Sequence, residues 1–219
     1  MNYSEIKESL SEKKVELVAV SKTHGVDKIK KLYDSGQRIF GENKVQELIE
    51  KKDLLPQDIQ WHMIGHLQSN KVKYIAPFIS LIHSLDRLKL AKEINKEARK
   101  NDRIIPCLLQ VRIAKEDTKF GVPPSDIHSF MQKYKERNYS FIKIAGVMGM
   151  ATFTKDIAQI KAEFDQLTTI FETIKKEHFP GNEDFRIKSM GMSGDYKLAI
   201  ECGSNMVRIG SLIFGSRNY

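Results

Sequence analysis

Eight short apolar runs alternate with longer amphipathic stretches along this sequence: LVAVS (17–21), RIF (38–40), WHMIG (61–65), LIHSL (81–85), IPCLLQVRI (105–113), FIKIAGVM (141–148), FRIKSM (185–190) and MVRIG (206–210). Runs such as LVAVS are apolar at consecutive positions, the pattern of a parallel strand buried on both faces. The stretches between them carry helical spacing. DKIKKLYDSG places Ile29, Leu32 and Tyr33 three and four residues apart and stops on Gly36, as a helix C-terminus does. DRLKLAKEINKEARK aligns Leu88, Ala91, Ile94 and Ala98, and the stretch AQIKAEFDQLTTIFETIKKEHF aligns Ile160, Phe164, Leu167, Phe171 and Ile174. PPSDIHSFMQKY starts with prolines, which suit a first turn. The alternation predicts an α/β fold, a single-domain (β/α)8 TIM-type barrel over residues 1–219, near the lower end of the ~200 to 250 residues usual for it. An open doubly wound sheet shares the alternation, so pattern alone leaves closure open. No proline- or glycine-rich linker divides the chain.

Composition narrows the function class. Charged residues make up 29% and apolar residues 41%, ordinary for a soluble domain, and no run approaches the ~20 apolar residues of a membrane span. The charged N-terminus MNYSEIKESLSEKK has no apolar signal core, and Cys107 and Cys202 lie too far apart for metal-ligand spacing. The expectation is a reduced, cytoplasmic, monomeric protein. A net charge of +8 raises nucleic acid as a partner, but the basic residues come in scattered pairs (Lys13–Lys14, Lys30–Lys31, Lys51–Lys52, Lys175–Lys176) mixed with acids. A solvated lysine-rich surface accounts for them better, and neither nucleic acid nor membrane is expected as a partner.

Lys22 stands where the first run ends. Burying an ammonium is costly unless it is paired or deprotonated, so its position asks for a reason. In a barrel, polar residues at the carboxyl ends of the strands face the active site. Those positions hold Lys22, Gly41-Glu42-Asn43, then His66, Gln68, Ser69 and Asn70, then Ser84 and Asp86. After the seventh and eighth runs come SMGMSGD (189–195) and GSLIFGS (210–216), small-residue turns placed where barrels bind phosphate. Ser193, Gly194, Gly210 and Ser211 are the natural donors. Arg208 alternates with Val207 and Ile209. If those two pack outward, Arg208 points into the barrel mouth and needs a partner, either a ligand acceptor or a core acid. A strand-end lysine, an inward arginine and a two-loop phosphate cup together match the needs of pyridoxal 5'-phosphate (PLP), whose aldehyde condenses with a lysine amine.

The stretches VAVSKT (18–23), FGENKVQE (40–47), WHMIGHLQSNKVK (61–73), SMGMSGD (189–195) and GSNMVRIGSLIFG (203–215) resemble the pyridoxal phosphate homeostasis protein family, whose fold is like the N-terminal barrel of alanine racemase. The resemblance implies that Lys22 is the Schiff-base lysine and Arg208 the partner of the pyridine nitrogen. It implies further that Ser193, Gly210 and Ser211 contact the phosphate and that Asn43, in the GEN motif, lies near the cofactor. The sequence departs from many members at His66, where they have proline. It also stops at Arg217-Asn218-Tyr219 without the short basic tail of some members, which puts a tail-dependent second cofactor contact in question.

The implied role is binding, buffering or delivering PLP, with PLP-dependent apoenzymes as recipients and no robust turnover. The alternative is an amino-acid racemase or related enzyme using Lys22 as its base. Racemisation needs acid–base groups on opposite faces of the substrate. The resemblance implies that the opposite-face tyrosine of alanine racemase comes from a second, β-rich domain, and a chain ending at Tyr219 is expected to have no room for one. No metal site is expected: His62 and His66 are four apart, but the stretch reads as strand and does not converge two imidazoles. The loop with Gly121, Val122, Pro123 and Pro124 is expected to rim the mouth, Cys202 to be a packed residue, and Met148, Met150, Met190 and Met192 to be core filling.

Overall fold

The apolar runs form eight parallel strands: β1 (Glu16–Val20), β2 (Ile39–Glu42), β3 (Gln60–Met63), β4 (Leu81–Leu85), β5 (Ile105–Gln110), β6 (Ile142–Met148), β7 (Ile187–Ser189) and β8 (Met206–Ile209). Each pairs with the next and β8 returns to β1, with Glu16 opposite Met206 and Ala19 opposite Ile209, so the sheet closes into a barrel. Closure decides against the open sheet. This computed structural model describes residues 2–116 and 120–215; Ser216 of the eighth loop and the Arg217-Asn218-Tyr219 end lie outside them.

Several strands are shorter than their apolar runs, and two of these shortfalls, in β5 and β3, bear on the loops at the barrel mouth. β5 stops at Gln110 instead of Ile113 because the chain doubles back: Val122 donates to the Gln110 carbonyl (2.8 Å) and Arg112 to the Val122 carbonyl (3.0 Å). β3 stops at Met63, which leaves His66 on a loop while His62 stays in the strand.

The strands bury both faces. Inside the barrel Val18, Leu81, Leu108, Ala145, Met148 and Met206 form one cluster. Outside lie α1 (Tyr3–Glu12), α2 (Val26–Asp34), α3 (Val45–Leu54), α4 (Val72–Ile75), α5 (Leu88–Lys100), α6 (Ile127–Glu136), α7 (Ile157–His178), α8 (Tyr196–Glu201) and α9 (Ser211–Phe214). The stripe Ile160, Phe164, Leu167, Phe171 and Ile174 of α7 is buried throughout, as its spacing predicts. In α5 the buried stripe runs through Leu90, Ala91, Ile94 and Ala98, with Leu88 at its edge. The prolines before α6 form a separate short 3₁₀ turn, Pro124–Asp126, and α6 itself starts at Ile127.

The seam between β8 and β1 is covered differently from the rest. The helix after β8 is a single turn, and α1 supplies the cover instead: Ile6 and Leu10 pack on Leu17, Val207 and Ile209. The N-terminal segment is charged, yet a capping box starts it, with Asn2 and Glu5 satisfying each other's backbone N–H. Outward packing of Val207 and Ile209 leaves Arg208 for the interior.

Candidate functional site

At the carboxyl ends of the strands a cavity of about 560 Å³ is lined by Lys22, Asn43, Ser193, Gly194, Arg208, Gly210 and Ser211, together with His24, His66, Phe120, Met150, Phe153 and Met192. All the residues singled out from the sequence for a cofactor therefore meet in one place. The volume suits a small-molecule ligand.

Lys22 sits in a tight turn. His24 N–H donates to the Ser21 carbonyl (3.1 Å), and Thr23, the third residue of that turn, has φ +67°. This left-handed region favours glycine, so a β-branched residue holds it only under constraint. The constraint is visible. Thr23 N–H donates to Glu47 Oε1 (2.5 Å), Lys51 Nζ donates to the Ser21 carbonyl (2.8 Å), and Ser21 Oγ donates to Glu42 Oε1 (2.6 Å). Lys51 also pairs with Glu42 (2.7 Å) and Glu47 (2.6 Å). Glu42 is fully buried, and desolvation raises its carboxyl above the ordinary range against the pull of Lys51. Two sequence expectations are corrected here. Glu42 faces away from the cavity and clamps the Lys22 turn, and Lys51, read as a solvated surface lysine, is buried because it completes that clamp. Gln68, Ser69 and Asn70 also lie off the cavity, around a separate surface groove with Arg87, and Ser84 is buried within β4.

Asn43 follows Glu42 and is held by close backbone packing. A side chain at Gly65 would collide with the Asn43 carbonyl and stand 2.8 Å from its Cα. Gly65→Ala is therefore expected to lower unfolding free energy by about 1–3 kcal/mol, the usual cost of overpacking, as read from a urea denaturation midpoint. An unchanged midpoint would show that the Asn43 backbone yields freely.

The loops after β7 and β8 touch each other: Gly210 N–H donates to Ser193 Oγ (3.3 Å). Nothing stands within 4 Å of where a Gly194 side chain would begin, while one at Gly210 would press on Val20 at 3.2–3.3 Å. Backbone is thus presented to the cavity without obstruction at Gly194 and is closely seated at Gly210. Phe214 of α9 stacks on His24 (centroids 4.8 Å apart) and ties this cup to the Lys22 turn.

Arg208 is only 4% exposed, and its partners are neutral. Nη1 donates to the Ser189 carbonyl (2.8 Å) and Oγ (2.7 Å), and Nη2 donates to the Gly149 carbonyl (3.0 Å). Burial pushes its pKa down to about 10, so it remains cationic at neutral pH. Among the described residues no acceptor stands within hydrogen-bond distance of Nε, whereas both Nη atoms are engaged. The alternative of an ion pair with a core acid is not what holds Arg208. Behind it runs a buried polar chain absent from the sequence reading: Ser189 Oγ lies 3.2 Å from His83 Nδ1, and His83 Nε2 lies 3.1 Å from His62 Nδ1. Burial pushes His62 down to about 3 and His83 well below its ordinary value, so both rings are neutral and can pass hydrogen bonds toward Arg208. The signal available in the sequence was a histidine in each of two adjacent core strands.

The remaining residues find ordinary places. His66 stacks on Phe120 (4.0 Å) and faces Asp86 (3.4 Å), while Phe120 brings the Gly121 loop to the rim. Met150 and Met192 line the cavity, whereas Met148 and Met190 fill core. Cys202 is packed, its thiol pushed up to about 11 by burial, which removes it as a nucleophile.

Residues 1–218 match the family of alanine racemase N-terminal domains. The pyridoxal phosphate homeostasis protein of Aquifex aeolicus is 38% identical over 93% of this chain and 87% of its own. That of Schizosaccharomyces pombe is 37% identical over 98% and 89%. The chain belongs to the pyridoxal phosphate homeostasis protein family. Among solved structures, PipY of Synechococcus elongatus without PLP superposes with a TM-score of 0.88 at 33% identity, covering 97% of this chain and 99% of PipY. PipY with PLP bound gives 0.85. Alanine racemase of Clostridium difficile, 16% identical with a TM-score of 0.72, shares the barrel fold and spans it with 57% of its own length.

Proposed function

We propose that this chain binds PLP through Lys22 and serves to hold, buffer and deliver the cofactor to PLP-dependent apoenzymes, acting as one cytoplasmic domain and as a monomer. No helix among the described residues is long and apolar enough to cross a membrane. The observation that carries the reading is the convergence of Lys22, buried Arg208 and the joined Ser193–Gly210 loops on one cavity. When bound, PLP supplies an aldehyde that a primary amine captures and a phosphate that needs hydrogen-bond donors. Lys22 offers the amine from a turn locked by Glu42, Glu47 and Lys51. Ser193, Gly194, Gly210 and Ser211 offer hydroxyls and backbone N–H groups of the kind a phosphate wants, and Asn43 lines the same cavity. Arg208 keeps a fixed positive charge where the pyridine nitrogen is assigned and disfavours a proton there, which suits retention of the cofactor more than carbanion chemistry.

The mouth is edged by Phe120 and by Phe153, which is 94% exposed, so a bound molecule can leave without the barrel opening. No tyrosine lines the cavity among the described residues. Transfer and turnover are tested on one preparation. Loaded protein mixed with a PLP-dependent apoenzyme is expected to restore that enzyme's activity faster than it releases PLP to buffer. The same protein with single-enantiomer amino acids in D2O is expected to show negligible α-deuteration. Exchange at ~1 s⁻¹ or faster that disappears in Lys22→Ala would establish the racemase reading instead.

A further inference from the structure

On the outer layer, apart from the cavity at the barrel mouth, α6 and α7 bring together His128, Glu177 and His178. Glu177 Oε2 lies 3.4 Å from His128 Nδ1 and 3.8 Å from His178 Nε2, and one potential ligand atom from each residue falls within 4.8 Å of the other two. These separations are too long for good N–H···O hydrogen bonds, whose mode is about 2.9–3.0 Å. They are close to what a shared ion requires: with bonds of about 2.0–2.1 Å at tetrahedral angles, neighbouring ligand atoms stand about 3.3 Å apart.

The donor set selects the ion. Two imidazole nitrogens and one carboxylate oxygen suit zinc and its first-row neighbours, whereas calcium and magnesium take oxygen throughout. We propose that His128, Glu177 and His178 form a binding site for a zinc-type divalent transition metal that clips α6 to α7, with solvent in the fourth position.

The surroundings favour occupancy. The three residues wall a shallow cavity of about 150 Å³ floored by Ile127, Ile170 and Ile174, so an ion reaches them from solvent. His178 is held, its side chain only 8% exposed, while the exposed side chains of His128 (64%) and Glu177 (47%) can swing toward it to bring ligand atoms now within 4.8 Å of one another to bonding separation. The last carbonyls of α7 add negative potential at that end, against the opposing charges of Lys135, seated over the Phe179 ring, and of Lys175 and Lys176 in the same last turn. The sequence gives no hint of this site, because His128 and the Glu177-His178 pair come from separate helices.

The test uses the untagged full-length chain, loaded with PLP and stripped of metal by a chelator. Calorimetric titration with Zn²⁺ is expected to show one equivalent bound with micromolar affinity, and Co²⁺ to give the intense visible bands of a tetrahedral site. His128→Ala and Glu177→Gln, both at exposed positions, are each expected to weaken binding about tenfold or more. They should also abolish the rise in Tm that Zn²⁺ gives the unmodified chain, while PLP binding stays unchanged. Absence of binding at ~1 mM Zn²⁺, far above the affinity of an authentic zinc site, overturns the proposal. So does one equivalent that binds equally well to His128→Ala.

Discussion

Lys22→Ala is expected to lose covalent capture of PLP altogether while the barrel stays folded. The side chain is half-buried on the wall of an open cavity, so truncation leaves no sealed void. The clamp on its turn acts through Ser21 and the Thr23 N–H, neither of which the substitution touches. Stability should shift by no more than about 0.5 kcal/mol. Incubation with PLP, borohydride reduction and peptide mass spectrometry should place the adduct on Lys22 in the unmodified chain and show none in the variant. A main adduct on a different lysine while Lys22 is present would falsify the assignment.

Arg208→Glu is expected to be the most damaging single change at the site. The guanidinium donates to the Ser189 carbonyl, Ser189 Oγ and the Gly149 carbonyl, all buried. A carboxylate there offers acceptors to acceptors, and the chain through His83 to His62 loses its cationic end. Removing one partner from a buried charged network typically costs about 3–5 kcal/mol, so the urea midpoint should fall sharply. The cofactor absorbance should also change or vanish. Ser211→Ala, by contrast, removes one donor among several in the cup and should cost only ~1–3 kcal/mol of PLP affinity. If the glutamate variant unfolds and absorbs like the unmodified chain, Arg208 neither braces β7 nor meets the ring.

The strands were legible because burial on both faces leaves an unbroken apolar run, and a loop breaks that run visibly. LIHSL shows the limit of the same reasoning. The run is correctly a strand, yet its histidine reports nothing about the neutral partner it meets across the barrel, because that pairing depends on registers among four strands. Lys51 was misread for a related reason: a KK pair on a helix looks solvated until a buried acid from another element is known to face it. α1 was missed because only Ile6 and Leu10 are apolar enough to notice, although Asn2 and Glu5 in capping-box spacing marked its start. Lys22, Arg208 and the two small-residue loops could be grouped from sequence because barrel topology places every strand's end at one mouth. The helix-to-helix meeting of His128 with Glu177 and His178 follows no such rule.

The pairing of β8 with β1 has a consequence for how the site comes into being. Lys22 is made early in synthesis and Arg208 late, and they become neighbours only when the final strand docks on the first. No cofactor pocket exists in a chain still growing or in a barrel with its last seam unzipped. A ligand that engages both loops therefore binds the closed form alone and acts as a latch on that seam. At a hundredfold excess over its dissociation constant it would add about 2.7 kcal/mol against reopening. When such a protein surrenders its ligand it also gives up that latch, so the emptied barrel should be the form that proteases and chaperones notice first.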